Sequence, residues 1–486
     1  MRPLRDFRCL CFLFSLGCGV GPENAAEAPS TPGAHPPSAS SVATVVARPG
    51  DPLPPDLGTR SGGSDWPGFL GPSGNSVSPE KGLLAPWPKA GPPLVWQRRL
   101  GEGYGMPAIS RGRLFVFDRV GDRARLTCCK SETGELLWTF AYPTAYQDLY
   151  GYSGGPRCSP VVDGERVYIY GVEGLLHCLR AEDGKLIWKV DTVADFHVRQ
   201  NFFGVGSTPV IEGDLLIAQV GGSPPDDPAP NARFGPKGAD SGIVAFDKYT
   251  GKVRYQVTDE LASYASPVLA TIDGQRWCFV LARGGLVGLR PATGKIEFRY
   301  PWRARILESV NASNPVVVGK RVFISETYGP GSALLEVQPG ACKEIWTDKD
   351  KGIRDKSMRC HWNTPIYVDG YLYGCSGRHT EEAELRCLEW GSGTIRWRKR
   401  GLTRTSLLLV DRHFICLGED GVLRLLKVDP NRYQEVSRVE LRADGGRGEP
   451  LLNEPCWAAP ILSHGLLYVR GADSLVCLEL IPQTKP

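Results

Sequence analysis

Two short runs hold the chain's densest polar chemistry: Arg359-Cys360-His361-Trp362-Asn363-Thr364, and one strand further on Gly377-Arg378-His379-Thr380-Glu381-Glu382. Guanidinium, imidazole, indole and amide groups at both ends of one apolar strand suit a ligand pocket. His197, Arg199 and Asn201, from an earlier segment, would join His361, Trp362, Arg378 and His379 if the intervening loops converge. Hydrogen bonding between neighbouring structural units is the preferred reading of these groups, with the pocket as the alternative.

Other motifs carry less. Gly151-Tyr152-Ser153-Gly154-Gly155 matches the pattern of a nucleophile elbow, but that device needs a strand turning sharply into a helix, and a further strand follows Pro160 instead. A Gly-rich connection is the better reading. Asp348-Lys349-Asp350-Lys351-Gly352 begins like a calcium loop, yet Gly352 takes the third acidic place and Arg359 the place of the bidentate Glu, which leaves a charged turn. The seven histidines show no ligand spacing, so neither a metal site nor any catalytic residue is expected.

The elements that must position these groups repeat. A small residue and Pro, two or three apolar residues, a Gly turn and an alternating strand are followed by an apolar strand, a turn of the form x-x-T-G-K and an aromatic. The proline recurs at Pro107, Pro160, Pro209, Pro267, Pro315, Pro365 and Pro460, spaced 53, 49, 58, 48, 50 and 95 residues apart. The last gap holds two periods, and Leu407-Leu408-Leu409-Val410-Asp411 supplies the copy without its proline. Eight starts predict an all-β, eight-bladed β-propeller of four-stranded blades, with seven blades as the alternative. Aromatics close the copies at Trp138, Trp188, Tyr255, Phe298, Trp346 and Trp397. Ten residues before each stand Cys128, Cys178, Ala245, Gly288, Glu336 and Cys387, with Cys477 in the last copy. This mostly small column reads as packing on an inner strand beside a crowded axis. The final copy ends at Leu480 without an aromatic strand, while an orphan strand, Pro93-Leu94-Val95-Trp96-Gln97, precedes the first proline. An N-terminal strand is therefore expected to complete the last blade and close the ring.

Arg2, Arg5 and Arg8 precede a short apolar stretch from Cys9 to Leu16, as in an export signal over residues 1–18. That stretch is too short to span a bilayer. Ser15-Leu16-Gly17-Cys18 resembles a lipobox, which makes Cys18 the candidate lipid attachment; an ordinary cleaved signal is the alternative. Residues 19–64 are rich in Pro, Ala, Ser and Gly and read as a tether to a propeller over 65–486. The 57 basic residues against 53 acidic ones are scattered, so nucleic acid is not an expected partner. Of 15 cysteines, 12 lie beyond the tether, mainly inside apolar strands, where thiols pack as small hydrophobes.

Ala245-Phe246-Asp247-Lys248-Tyr249-Thr250-Gly251-Lys252-Val253-Arg254-Tyr255 resembles the tryptophan-docking repeat of the pyrroloquinoline-quinone-like propeller family, and Asp65-Trp66-Pro67-Gly68-Phe69-Leu70-Gly71-Pro72 resembles the opening of its exported bacterial members. The resemblance runs from about Asp65 to Leu480. It implies one of two functions. The first is a non-catalytic binding scaffold of the bacterial cell envelope, similar to the propeller lipoprotein of the outer-membrane protein assembly machinery. Such a protein is monomeric, sits in the periplasm or envelope, touches a membrane only through its lipid anchor, engages an envelope protein or peptide and needs no cofactor. The second is an alcohol or sugar dehydrogenase dependent on pyrroloquinoline quinone and calcium, in which Cys128-Cys129 would match the adjacent-cysteine disulfide that lies against the quinone. Cys128 also belongs to the repeat's small-residue column, and adjacent strand residues point to opposite faces, so packing is preferred for it. Carbohydrate binding by exposed aromatics is a third reading. The scaffold is favoured because a clear repeat comes with no complete catalytic set.

Overall fold

The computed structural model describes residues 53–199, 202–227, 237–306 and 308–483. Among them, 32 strands form eight antiparallel four-stranded sheets arranged as an eight-bladed β-propeller. The eighth sheet excludes the seven-bladed alternative. Blade 2 shows the construction, with strands Val161–Asp163, Arg166–Tyr170, Leu175–Arg180 and Leu186–Asp191. Its first three strands are almost wholly buried, whereas the fourth exposes most of its length and buries Trp188. First strands of neighbouring blades approach one another around the axis. Burial therefore grades outward from the axis, and the sequence turns from continuous apolar runs to alternation.

Ring closure follows the expectation. Leu94–Arg99 pairs antiparallel with Ser474–Glu479 as the outer strand of the last blade. Both ends of the chain thus share one sheet, and that blade keeps no missing strand.

The small-residue column lies elsewhere than expected. Cys128, Cys178, Ala245, Gly288, Cys387 and Cys477 sit on the third strand from the axis, each directly opposite the aromatic of the outer strand. They are small because that ring lies across them. A Cβ on Gly288 would come within 2.4 Å of Phe298. Glu336 does not belong to the set: in that blade Leu334 faces Trp346, and Glu336 pairs with Lys343.

The aromatics join the blades. Trp138 Nε1 donates to the Ala181 carbonyl, Trp188 Nε1 to that of Lys248, Trp346 Nε1 to that of Trp390, and Trp397 Nε1 to that of Asp429, in each case on the next blade. Trp96 repeats the contact on the Ser131 carbonyl across the closure. The turn glycine of the next blade supplies the seat. At Gly251, with φ +72°, a Cβ would meet the Trp188 ring at 2.7 Å. A buried ion pair lies beside this contact, with Lys248 Nζ 2.6 Å from Asp163 Oδ2 and side chains only 1% and 2% exposed.

The residue before five of the prolines, from Ser159 to Thr364, also has a physical reason to be small and polar. The backbone N–H of Met106 donates to Ser159 Oγ, that of Ser159 to Thr208 Oγ1, that of Thr208 to Ser266 Oγ, that of Ser266 to Asn314 Oδ1 and that of Asn314 to Thr364 Oγ1, at 2.8–3.1 Å. Blades 2 to 6 thereby each satisfy a donor of their predecessor, and the links make a hydrogen-bonded belt along that part of the ring.

Residues 53–64, the end of the expected tether, are docked on the blades. Arg113 Nη1 donates to the Pro55 carbonyl, and Arg60 pairs with Glu479. The chain then crosses the axis. Trp66 exchanges backbone hydrogen bonds with Ile109 of blade 1, the Pro67 carbonyl accepts from Val162 of blade 2, and Ser76 and Ser78 bond Leu409 of blade 7. Trp66 and Leu70 are buried. This segment is the floor of the cavity described next.

Candidate functional site

The connections that carry the chain from the outer strand of one blade to the inner strand of the next converge above that floor and enclose a cavity of about 290 Å³. Every blade contributes from an equivalent place. Three residues before the signature prolines stand Tyr104, Arg157, Gly206, Tyr264, Ala312, Trp362 and Trp457, and Arg404 holds that place before Leu407 in the blade without a proline; all eight line the cavity. The column was available in the sequence once the proline register was known. Its variable chemistry hid it, because no shared residue type marks it.

The rings form a nearly continuous wall. Tyr104 lies 4.7 Å from Trp457, Trp457 5.0 Å from Trp362, and Trp362 4.9 Å from His361, centroid to centroid. Across the cavity Phe203 packs 5.6 Å from Tyr264. Arginines lie over these faces, with Arg404 4.4 Å from the Trp362 centroid, Arg378 4.6 Å from that of Tyr328, and Arg157 5.7 Å from that of Tyr104. Such contacts pair the guanidinium with the negative ring face and hold it flat.

Arginines set the charge of this surface. Glu419 accepts from Arg404, from Trp457 Nε1 at 3.0 Å and from Thr380 Oγ1 at 2.7 Å. Burial alone would raise its pKa, but these donors hold it down at about 2, so it stays ionised behind the wall. Arg157 is paired with Asp148. Burial, and then the positive charges of Arg404 and Arg378, push His361 down to about 3, so its ring is neutral; Tyr328, whose hydroxyl lies 3.3 Å from His361 Nε2, is pushed up to about 12 by burial. No Asp or Glu is among the residues lining the cavity.

Four of the expected funnel residues, His361, Trp362, Arg378 and His379, meet at this cavity. His197 and Arg199 do not. His197 ends the helix Thr192–Phe196 with φ +54°, the chain then bridges Val198 to Gly222, and Arg199 donates to the Asp227 carbonyl, so both brace the segment from Gly221 to Asp227. Phe203 and Gly206 represent that connection at the cavity. Asn201 and Cys18 lie outside the described residues. Ser153 is in the connection between blades 1 and 2, with its hydroxyl accepting from the Gly155 N–H. Asp348 is fully buried and organises its turn by accepting from Ser332 and Ser357.

A profile of the family described as "Outer membrane protein assembly factor BamB" matches residues 147–399, from the connection after blade 1 to the outer strand of blade 6. The chain belongs to this family. It is 29% identical over 408 residues to the outer membrane protein assembly factor BamB of Shewanella oneidensis, spanning 80% of this chain and 89% of that protein. Among solved structures, BamB from Moraxella catarrhalis superposes with a TM-score of 0.52 at 16% identity, covering 81% of this chain and 99% of that one. The quinohemoprotein alcohol dehydrogenase from Comamonas testosteroni superposes with a TM-score of 0.59 at 12% identity, covering 87% and 82%. At these identities both structures speak to the fold alone.

This member of the BamB family does not present the groups that a quinone with calcium requires. The ion takes several oxygen ligands, carboxylates among them, and among the described residues the lining supplies no carboxylate. Among the described residues no group of three His, Cys, Asp or Glu is placed to hold a metal. Cys128 and Cys129 are free, buried and absent from the lining; Cys128 lies against Trp138 between strands, and Arg98 Nη1 approaches Cys129 Sγ at 3.0 Å. Burial raises the pKa of both thiols, which keeps them protonated.

Proposed function

We propose that this protein is a non-catalytic scaffold of the cell envelope that serves the assembly of outer-membrane proteins by holding a protein segment at the mouth of its funnel. The family match over residues 147–399 carries this reading. The surface supports it: Leu149, Tyr150 and Tyr152 are exposed in the connection between blades 1 and 2, and Tyr150 packs 5.7 Å from Phe203 at the cavity wall. Exposed apolar groups clustered beside a cavity mark a contact surface. In this reading residues 1–18 direct export, Cys18 carries the lipid that holds the protein to a membrane, and the chain between there and Pro54 is the spacer.

The test is depletion of the protein in its own host, with the folded fraction of outer-membrane β-barrels followed by heat-modifiable gel mobility. A fall in folded barrels is expected, restored by the wild-type gene and not by a Leu149→Asp, Tyr150→Asp double variant made at equal abundance. Unchanged barrel levels on depletion would refute the assignment. Reduction of a dye by alcohols after loading with pyrroloquinoline quinone and calcium would replace it with the dehydrogenase reading.

A further inference from the structure

The cavity's charges are not all matched within the protein. Arg157 and Arg404 have carboxylate partners in Asp148 and Glu419. Arg378 has no ion-pair partner among the described residues; its backbone N–H is bound to Glu382, its carbonyl accepts from Arg404, and its guanidinium rests on the Tyr328 ring. Beside it, Trp362 Nε1 is buried without a hydrogen-bond acceptor. A buried donor left unpaired is costly, so an occupant that supplies an acceptor gains by relieving it. The remaining walls are flat rings, and the volume of about 290 Å³ is that of a small-molecule site.

We propose that the funnel cavity binds an aromatic carboxylate, with the ring of the ligand between Tyr104, Trp362 and Trp457 and its carboxylate accepting from Arg378 and the Trp362 N–H. A carboxylate meets the one lining arginine that, among the described residues, has no ion-pair partner, and an aromatic body suits walls that offer ring faces and no competing acid. The chemistry admits two sources, a free aromatic acid or the terminal residue of a polypeptide, since both present a ring and a carboxylate on a short aliphatic link. The inference stands apart from the assembly reading, because the rim loops can hold a partner whether or not the cavity is filled.

Isothermal titration of the full chain with phenylpropionate, with phenylpropionamide, and with a tripeptide of two glycines and a terminal phenylalanine, free or amidated, tests the proposal. The free acid is expected to bind at one site and the amide about tenfold more weakly, since a charge-assisted hydrogen bond is roughly twice as strong as a neutral one. Arg378→Gln is expected to lose about the same factor with an unchanged melting temperature, and Trp362→Phe, which keeps a ring and removes the N–H, to lose less. Tighter binding of the free tripeptide than of phenylpropionate assigns the site to chain ends, and the reverse order assigns it to free acids; either supports the ligand class. Equal binding of acid and amide by the unaltered chain, or binding of neither acid nor tripeptide, would overturn it. None of these outcomes alters the depletion experiment, so the two readings fail separately.

Discussion

Replacing Lys248 by Met removes one half of the Lys248–Asp163 pair and leaves the carboxylate of Asp163 where it is. At the surface such a pair is worth about 0–1 kcal/mol, because water already solvates both charges. Here the partners are 2.6 Å apart with 1% and 2% of their side chains exposed, so the abandoned carboxylate has no water to turn to. Stranding one charge of a buried pair costs about 3–5 kcal/mol. The backbone at residue 248 is untouched, so its carbonyl still accepts from Tyr168 and Trp188 and the docking of blade 2 on blade 3 survives. The double variant Lys248→Met, Asp163→Leu removes both charges, and its cost should fall to within about 1 kcal/mol of wild type, since apolar replacement of a buried pair is often neutral. Urea unfolding followed by tryptophan fluorescence reads all four corners of the cycle. A single-variant loss under about 1 kcal/mol, or a double variant as unstable as the two singles added together, would refute the claim that burial decides the energy.

Three further outcomes follow from the same structure. Ser266→Ala deletes the acceptor of the Thr208 N–H in the axial belt and should cost about 1–3 kcal/mol in urea unfolding, with Ser266→Thr restoring most of it. Gly251→Ala forces a left-handed φ of +72° on alanine, costing about 1–2 kcal/mol, and drives a methyl group into the Trp188 ring; a red-shifted tryptophan emission should accompany the loss. The hydrogen bond to Asp65 raises the pKa of His464 above its ordinary 6.5. A group whose folded pKa is raised stabilises fully below its unfolded pKa and loses that contribution as pH rises through the folded value. Hydrogen exchange at Trp66 should therefore quicken as pH climbs upward from about 6.5, beyond the intrinsic rate increase, and His464→Gln should abolish the excess.

Blade number, blade register and the closing strand were legible in the sequence because a proline, a turn glycine and an aromatic do the same physical job in most of the copies, so that even blade 7, without its proline, is located by period. The placement of the small column was misread for a physical reason: a ring stacked on a neighbour and a crowded axis both demand small side chains, and only pairing shows that Gly288 faces Phe298. The site was half legible. His361, Trp362, Arg378 and His379 stand out by their density, whereas Tyr104, Arg157, Tyr264, Arg404 and Trp457 each stand alone in sequence and meet only because the ring brings one connection from every blade to the axis. His197 and Arg199 lie close to the connection that supplies Phe203, but a helix and a bridge to Gly222 turn them aside.

The shared final blade sets the order in which the molecule can be finished. Leu94–Arg99 finds its partner only at Ser474–Glu479, near the far end of the polypeptide, and the floor segment must also reach blade 7 before it is held. Seven blades can stack as they emerge, with Trp138, Trp188, Trp346 and Trp397 each docking on the blade that follows. The opening strand meanwhile waits unpaired, and the growing fan keeps two uncovered blade faces until the last copy arrives. A chain delivered N-terminus first thus passes through a state open to pairing with other strands for almost the whole of its delivery, and one zipping event near its C-terminus ends that exposure and seals the floor beneath the cup.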